Sequence, residues 1–154
     1  MKRFFVIVLL ILPSVLLGQS SQTGLGIIIG MPTGLSGKLL IARNSAIAVH
    51  AGWSILGDQG LHITGDYQFL FPGVVKQDGS PMEDVIPYFG LGGRFRFKKK
   101  ENEDTKFHLG FRFGGGIEYL VSQFGIFLEL YPVLDVVPKT AIDFEGGIGG
   151  RYYF

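Results

Sequence analysis

Seven stretches of this chain alternate apolar and other side chains with a two-residue period, and an eighth is apolar throughout. Successive side chains on a β-strand point to opposite faces, so each alternating stretch reads as a strand with one apolar face. Reading back from the C-terminus, Phe154, Tyr152, Ile148, Phe144 and Ile142 share a face, while Arg151, Glu145 and Asp143 take the other. Upstream, Phe124, Ile126, Leu128, Leu130 and Leu134 oppose Glu129 and Asp135. Phe107, Leu109, Phe111, Phe113, Ile117 and Tyr119 oppose His108, Arg112, Glu118 and three glycines. Phe89, Leu91, Phe95 and Phe97 oppose Arg94, Arg96 and Lys98. Leu61, Ile63, Tyr67, Phe69 and Phe71 oppose His62, Thr64, Asp66 and Gln68. Ile47, Val49, Ala51, Trp53 and Ile55 oppose His50 and Ser54, and Leu35, Leu39 and Ile41 oppose Ser36 and Lys38. The first stretch, about Gly24 to Met31, is too apolar for its faces to be assigned.

Eight antiparallel strands are an even number and can close on themselves, which removes exposed edges. At about 9 to 14 residues each, they are long enough to cross hydrocarbon when tilted. A soluble sandwich or lipocalin-like barrel would alternate too, with its large apolar rows packed inside. Eight strands enclose only a narrow interior. The Phe, Leu, Ile and Tyr rows are too bulky for it, whereas glycines with scattered charges suit it. Glycine is abundant, at 24 of 154 residues. The expectation is therefore an all-β, eight-stranded, up-and-down transmembrane barrel with its apolar face in lipid.

Residues 1–20 read as a cleaved signal peptide, leaving 21–154 as the barrel. Lys2 and Arg3 precede an apolar run from Phe4 to Leu17, and small residues follow at Gly18 and Ser20. A retained helix is the alternative, but a span needs about 20 apolar residues and Pro13 interrupts this shorter run. The absence of Cys excludes disulfides, thiolate metal sites and a Cys nucleophile. Formal net charge is +1, so no basic field points to nucleic acid.

Tight connections are expected at Arg43-Asn44-Ser45, Gly57-Asp58-Gln59, Val121-Ser122 and Pro138-Lys139-Thr140. The charge run at 98–106 reads as a solvated loop, with a ligand or cation site as the sharper alternative. With both termini periplasmic, parity puts 98–106 outside the cell and the longer segment 72–84 in the periplasm. Periplasmic turns are usually short. Either this turn is unusual or one strand upstream is miscounted.

The inward charges are five basic and five acidic: Lys38, Arg94, Arg96, Arg112 and Arg151, with Asp66, Glu118, Glu129, Asp143 and Glu145. Unpaired charges in a narrow lumen would be costly, so a paired network that plugs it is expected. A narrow ion pathway past the same charges is the alternative. A two-residue turn at Val121-Ser122 would pair Glu118 with Gly125 and Gly114 with Glu129. A three-residue loop at 57–59 would place His50 opposite Asp66 and Ser54 opposite His62. Ser, His and Asp are the residue types of nucleophilic catalysis. Here the hydroxyl and the acid face different histidines, so a lipid-modifying enzyme is only a third reading. No metal-ligand spacing or cofactor fingerprint is present, and no cofactor is expected.

The chain resembles small eight-stranded outer-membrane proteins of the OmpA/OmpX barrel type over essentially all of 21–154. Its end, Arg151-Tyr152-Tyr153-Phe154, resembles the sorting signal of such barrels, with Tyr152 and Phe154 as the aromatic positions. The segments PTGLSGK (32–38), PYFGLGGRFRF (87–97), FLELYPVLDVVP (127–138) and GGIGGRYYF (146–154) resemble, more narrowly, a family of short bacterial outer-membrane barrels. Little activity is assigned to that family, so the resemblance implies location and fold and carries over no catalytic residue. It implies a porin-like, non-enzymatic barrel in the bacterial outer membrane. Its partners would be outer-membrane lipids, with the barrel assembly machinery and periplasmic chaperones during biogenesis. The expected state is a monomer with a structural or surface-interaction role.

Overall fold

A computed structural model describes residues 23–53, 60–98 and 106–154. The expected signal peptide at 1–20, the tight turn at 57–59 and all but the edges of the 98–106 charge run lie outside the described residues. In chain order the strands are β1 Thr23–Gly30, β2 Gly34–Ala42, β3 Ser45–Trp53, β4 Leu61–Leu70, β5 Lys76–Gln77, β6 Ser80–Pro81, β7 Val85–Lys98, β8 Lys106–Val121, β9 Phe124–Val137 and β10 Ala141–Tyr153. Eight of them form one closed antiparallel barrel in the order β1-β2-β3-β4-β7-β8-β9-β10, and β10 pairs back onto β1 from Gly24↔Tyr153 to Gly30↔Gly147. Closure leaves the eight-stranded sheet without an open edge.

Alternation sets the two faces. On β9, Phe124, Ile126, Leu128 and Leu130 are exposed, while Phe127, Glu129, Tyr131, Val133 and Asp135 are buried. On β1, where the sequence left the faces open, Leu25, Ile27 and Ile29 point out and Ile28 points in. The outer wall is thus a belt of Leu, Ile, Val and Phe.

One open point is decided and two expectations need correction. First, the long connection does not reflect a miscounted strand. Residues 71–84 lie at the same end as Thr23 and Phe154 and carry the small β5–β6 hairpin, turned by Asp78 and Gly79 at positive φ. Backbone bonds from Leu120 to Asp84 and from Phe71 to Pro87 tie its ends to the barrel.

Second, the two guessed registers are each off by two residues. The β8–β9 turn is Ser122-Gln123, so Leu120 pairs with Gly125 and Gly116 with Glu129. Ser122 adopts a left-handed backbone, φ 57°, which starts the turn one residue later than expected. Between β3 and β4 pairing stops at Trp53↔Leu61, so His50 faces Thr64, Asp66 faces Ala48 and His62 faces Gly52. A two-residue slip preserves every side chain's face, so alternation alone cannot detect it.

Third, the lumen accommodates large rings. Phe127, Tyr131, Tyr88 and Tyr153 point inward and are buried. Glycines one or two strands away make the room. A Cβ at Gly90 would run into the Tyr131 ring, one at Gly149 into Phe127, and one at Gly116 into the Tyr88 ring. Toward the terminal end Ala46, Leu70 and Tyr88 pack with Leu40 and Ile86 into an apolar cluster on the β2–β3–β4–β7 side.

Candidate functional site: the luminal charge network

The inward rows of β2, β4, β7, β8, β9 and β10 bring their charges together along the axis of the barrel. Near the terminal end Glu118 is the centre. Lys38 Nζ lies 2.6 Å from its Oε2, Tyr153 OH donates to Oε1 at 2.6 Å, and Arg151 Nη1 lies 3.3 Å from Oε1. Arg151 Nε also donates to Ser36 Oγ at 2.8 Å, and its guanidinium lies 3.6 Å from the centre of the Phe127 ring.

At mid-height Arg112 joins three carboxylates. Its Nε is 3.0 Å from Asp66, Nη2 is 3.6 Å from Glu129 and Nη1 is 2.9 Å from Glu145. The guanidinium sits 4.0 Å above the Tyr131 ring. Tyr88 OH donates to Glu129 at 3.0 Å, and Lys38 lies over the Tyr88 ring, so Tyr88 links the lower cluster to the middle one.

Toward the opposite end Arg94 does the same work. It meets Asp135 at 2.5 Å, Asp143 at 2.9 Å and Glu145 at 2.5 Å. Glu145 accepts from Arg94 on one oxygen and from Arg112 on the other, which couples the middle and upper clusters. Arg96 reaches Asp143 only at 3.7 Å, and Asp143 is 40% exposed, so this pair marks the rim.

All ten sequence-derived luminal charges therefore point inward, eight of them buried and Arg96 with Asp143 at the mouth. Fork-shaped guanidiniums suit this task, since each can satisfy several carboxylates at fixed geometry. Sequence reasoning left out Asp135, although it shares the parity of Glu129. It also left out Tyr88, Tyr131, Tyr153 and Ser36, which supply the neutral links. Tyr131 shares the parity of Glu129, but the glycine that makes room for it, Gly90, lies two strands away on β7 and is recognisable only once register is known.

The residues of the third reading do not converge. His50 Nε2 lies 3.3 Å from Glu129, His62 Nε2 lies 2.9 Å from Glu145, and Asp66 is held by Arg112. Each histidine thus lies beside a different glutamate, and Ser54 lies outside the described residues. No group of three His, Asp or Glu poised to hold a metal occurs among the described residues. At the C-terminus, Tyr152 and Phe154 lie on the outer face. The Tyr152 ring makes edge contacts with Phe124 and Phe154, and its hydroxyl donates to Gln123.

No protein-family model matches this chain, and no curated protein does. Among solved structures it is similar to the N-terminal β-barrel domain of Pseudomonas aeruginosa OprF. That match has a TM-score of 0.66 at 16% identity and covers 88% of this chain and all of the other. At that identity the likeness concerns fold. The shared fold is a closed, eight-stranded antiparallel barrel.

Proposed function

We propose that the chain is a non-enzymatic barrel of the bacterial outer membrane, with a structural or surface-interaction role and a lumen plugged by its own charges. One observation carries this reading. The contacts run without a break from Ser36 and Arg151 through Glu118, Lys38, Tyr88, Glu129, Arg112, Glu145 and Arg94 to Asp135 and Asp143. Paired side chains linked along the axis would obstruct a solute, and the Ala46, Leu70 and Tyr88 cluster adds apolar bulk toward the terminal end. Lipids would contact the outer belt, and the assembly machinery would read the Tyr152 and Phe154 end during insertion.

A narrow channel for ions or small solutes is the second reading. It is favoured by Thr64 Oγ1 and Gln68 Oε1, which are buried on β4 and make no hydrogen bond within the described residues. Buried polar atoms in that situation are usually met by ordered water, so a hydrated seam along β4 is its physical basis.

Single-channel recording on the folded chain in a planar bilayer separates the two. The plugged lumen predicts silence from inserted wild type and new conductance when Arg94 and Arg112 are both replaced by Ala. Steady wild-type conductance that changes with Arg94→Ala would establish the channel instead.

A further inference from the structure

Most strand glycines of this barrel are crowded: a Cβ added to them meets a luminal side chain or the neighbouring backbone. Gly37, Gly65, Gly93 and Gly150 are open by comparison, and Gly65 and Gly93 stand apart from the other two because they sit side by side. They are direct partners on β4 and β7. Both share the outward parity of Ile63, Tyr67, Leu91 and Phe95. A Cβ at Gly65 would meet nothing within 4 Å, and one at Gly93 only the Gly110 carbonyl at 3.6 Å. Glycine weakens a strand by entropy and by the packing it forgoes, and it commonly marks a place where something else approaches closely. Here nothing in the chain uses the space.

The result is a groove of about 580 Å³ in the outer wall, within the size range of small-molecule sites. Ile63 and Phe95 close it on one side, and Leu109, Phe111 and Val136 form the far wall. No charged side chain enters it, because Arg94 lines it through backbone while its guanidinium is turned into the lumen. Val136 belongs to an irregularity in β9, where Leu109 pairs with Val137 but Gly110 pairs with Asp135. The extra residue places one more apolar side chain at the groove edge. Such bulges tend to re-aim side chains beside sites.

From this geometry we infer that the Gly65–Gly93 groove is a discrete binding site for the hydrocarbon tail of a membrane lipid. This rests on the reading of the outer wall as lipid-facing. The groove is continuous with that belt, is centred on β4 and β7 and reaches Val136 near the end of β9, and is lined by apolar side chains and backbone alone. A tail fits these features and a headgroup does not. The bound tail completes the wall where the chain omits two side chains.

The test is native mass spectrometry of the folded chain in detergent, titrated with dipalmitoylphosphatidylglycerol. One saturable lipid is expected, bound at least tenfold more weakly as the dioctanoyl analogue. Filling the groove with Gly65→Leu and Gly93→Leu should weaken binding at least tenfold, while Ile148→Leu, on the outer face of β10, should leave it unchanged. If the double variant fails to show the gel shift of a folded barrel, Gly65→Ala, whose methyl enters open space, should still weaken binding at least twofold. Absence of a saturable lipid, equal binding of the short-chain analogue, or undiminished binding in the filled variants would overturn the inference. A wild-type dimer lost on filling would also overturn it, by making a second copy the occupant. Protection from protease after insertion into vesicles tests the membrane reading separately. A chain that inserts yet binds no discrete lipid loses only the groove, and a chain that does not insert loses both.

Discussion

Arg112 is the residue most committed to this lumen. It is buried, faces Asp66, Glu129 and Glu145, and lies on the Tyr131 ring. Removing one partner of a buried ion pair is costly because the other charge remains desolvated. Arg112→Ala should therefore destabilise the barrel by about 3–5 kcal/mol, read as a lower urea midpoint in vesicles. Arg112→Lys should recover only part of that loss, since an ammonium cannot fork between carboxylates. A second test at this scale concerns space. Gly90→Ala drives a methyl toward the Tyr131 hydroxyl and should cost about 1–3 kcal/mol. Tyr131→Phe removes the nearest atom, so the double variant should be more stable than the sum of the two single effects. Strict additivity would refute the contact. The charges were legible in the sequence because parity assigns them to one face. The aromatic links were not, because a Tyr or Phe in an apolar strand suits either face until its neighbour across the sheet is known.

Strands and their turns were legible to different depths. The two-residue period located seven of the eight barrel strands; β1, whose inward side carries glycines and Ile28 and no charge, was read only from its apolar run. Register was less accessible. On β3–β4 and β8–β9 a shift of two residues leaves every side chain on its own face, so alternation does not decide and local turn conformation does. At β8–β9 that decision rests on Ser122, held at φ 57°. A β-branched residue tolerates this conformation poorly. Ser122→Val should lower stability by about 1–3 kcal/mol, whereas Ser122→Gly should change it by less than about 0.5 kcal/mol. Equal effects of the two in equilibrium unfolding would show that the turn does not set the register.

The whole molecule inverts the arrangement of a soluble protein: its apolar belt faces out, and its polar network occupies the centre. Narrowness reconciles the two. An eight-stranded barrel has no room for a continuous apolar core behind an apolar wall, and its interior charges must pair with one another. Inward glycines and inward rings then interlock to fill what the charges leave. The outer belt is the claim on which the network, the groove and the proposed location all depend. It is tested most directly by tryptophan quenching in bilayers with brominated acyl chains. The chain has a single Trp, so Trp53→Phe provides a silent background. A Trp at Leu128, exposed at 57%, should be strongly quenched, while one at the adjacent Phe127, exposed at 1%, should be largely spared. Quenching at Phe127 but not at Leu128, or at neither position, would contradict a barrel that turns its apolar face to lipid.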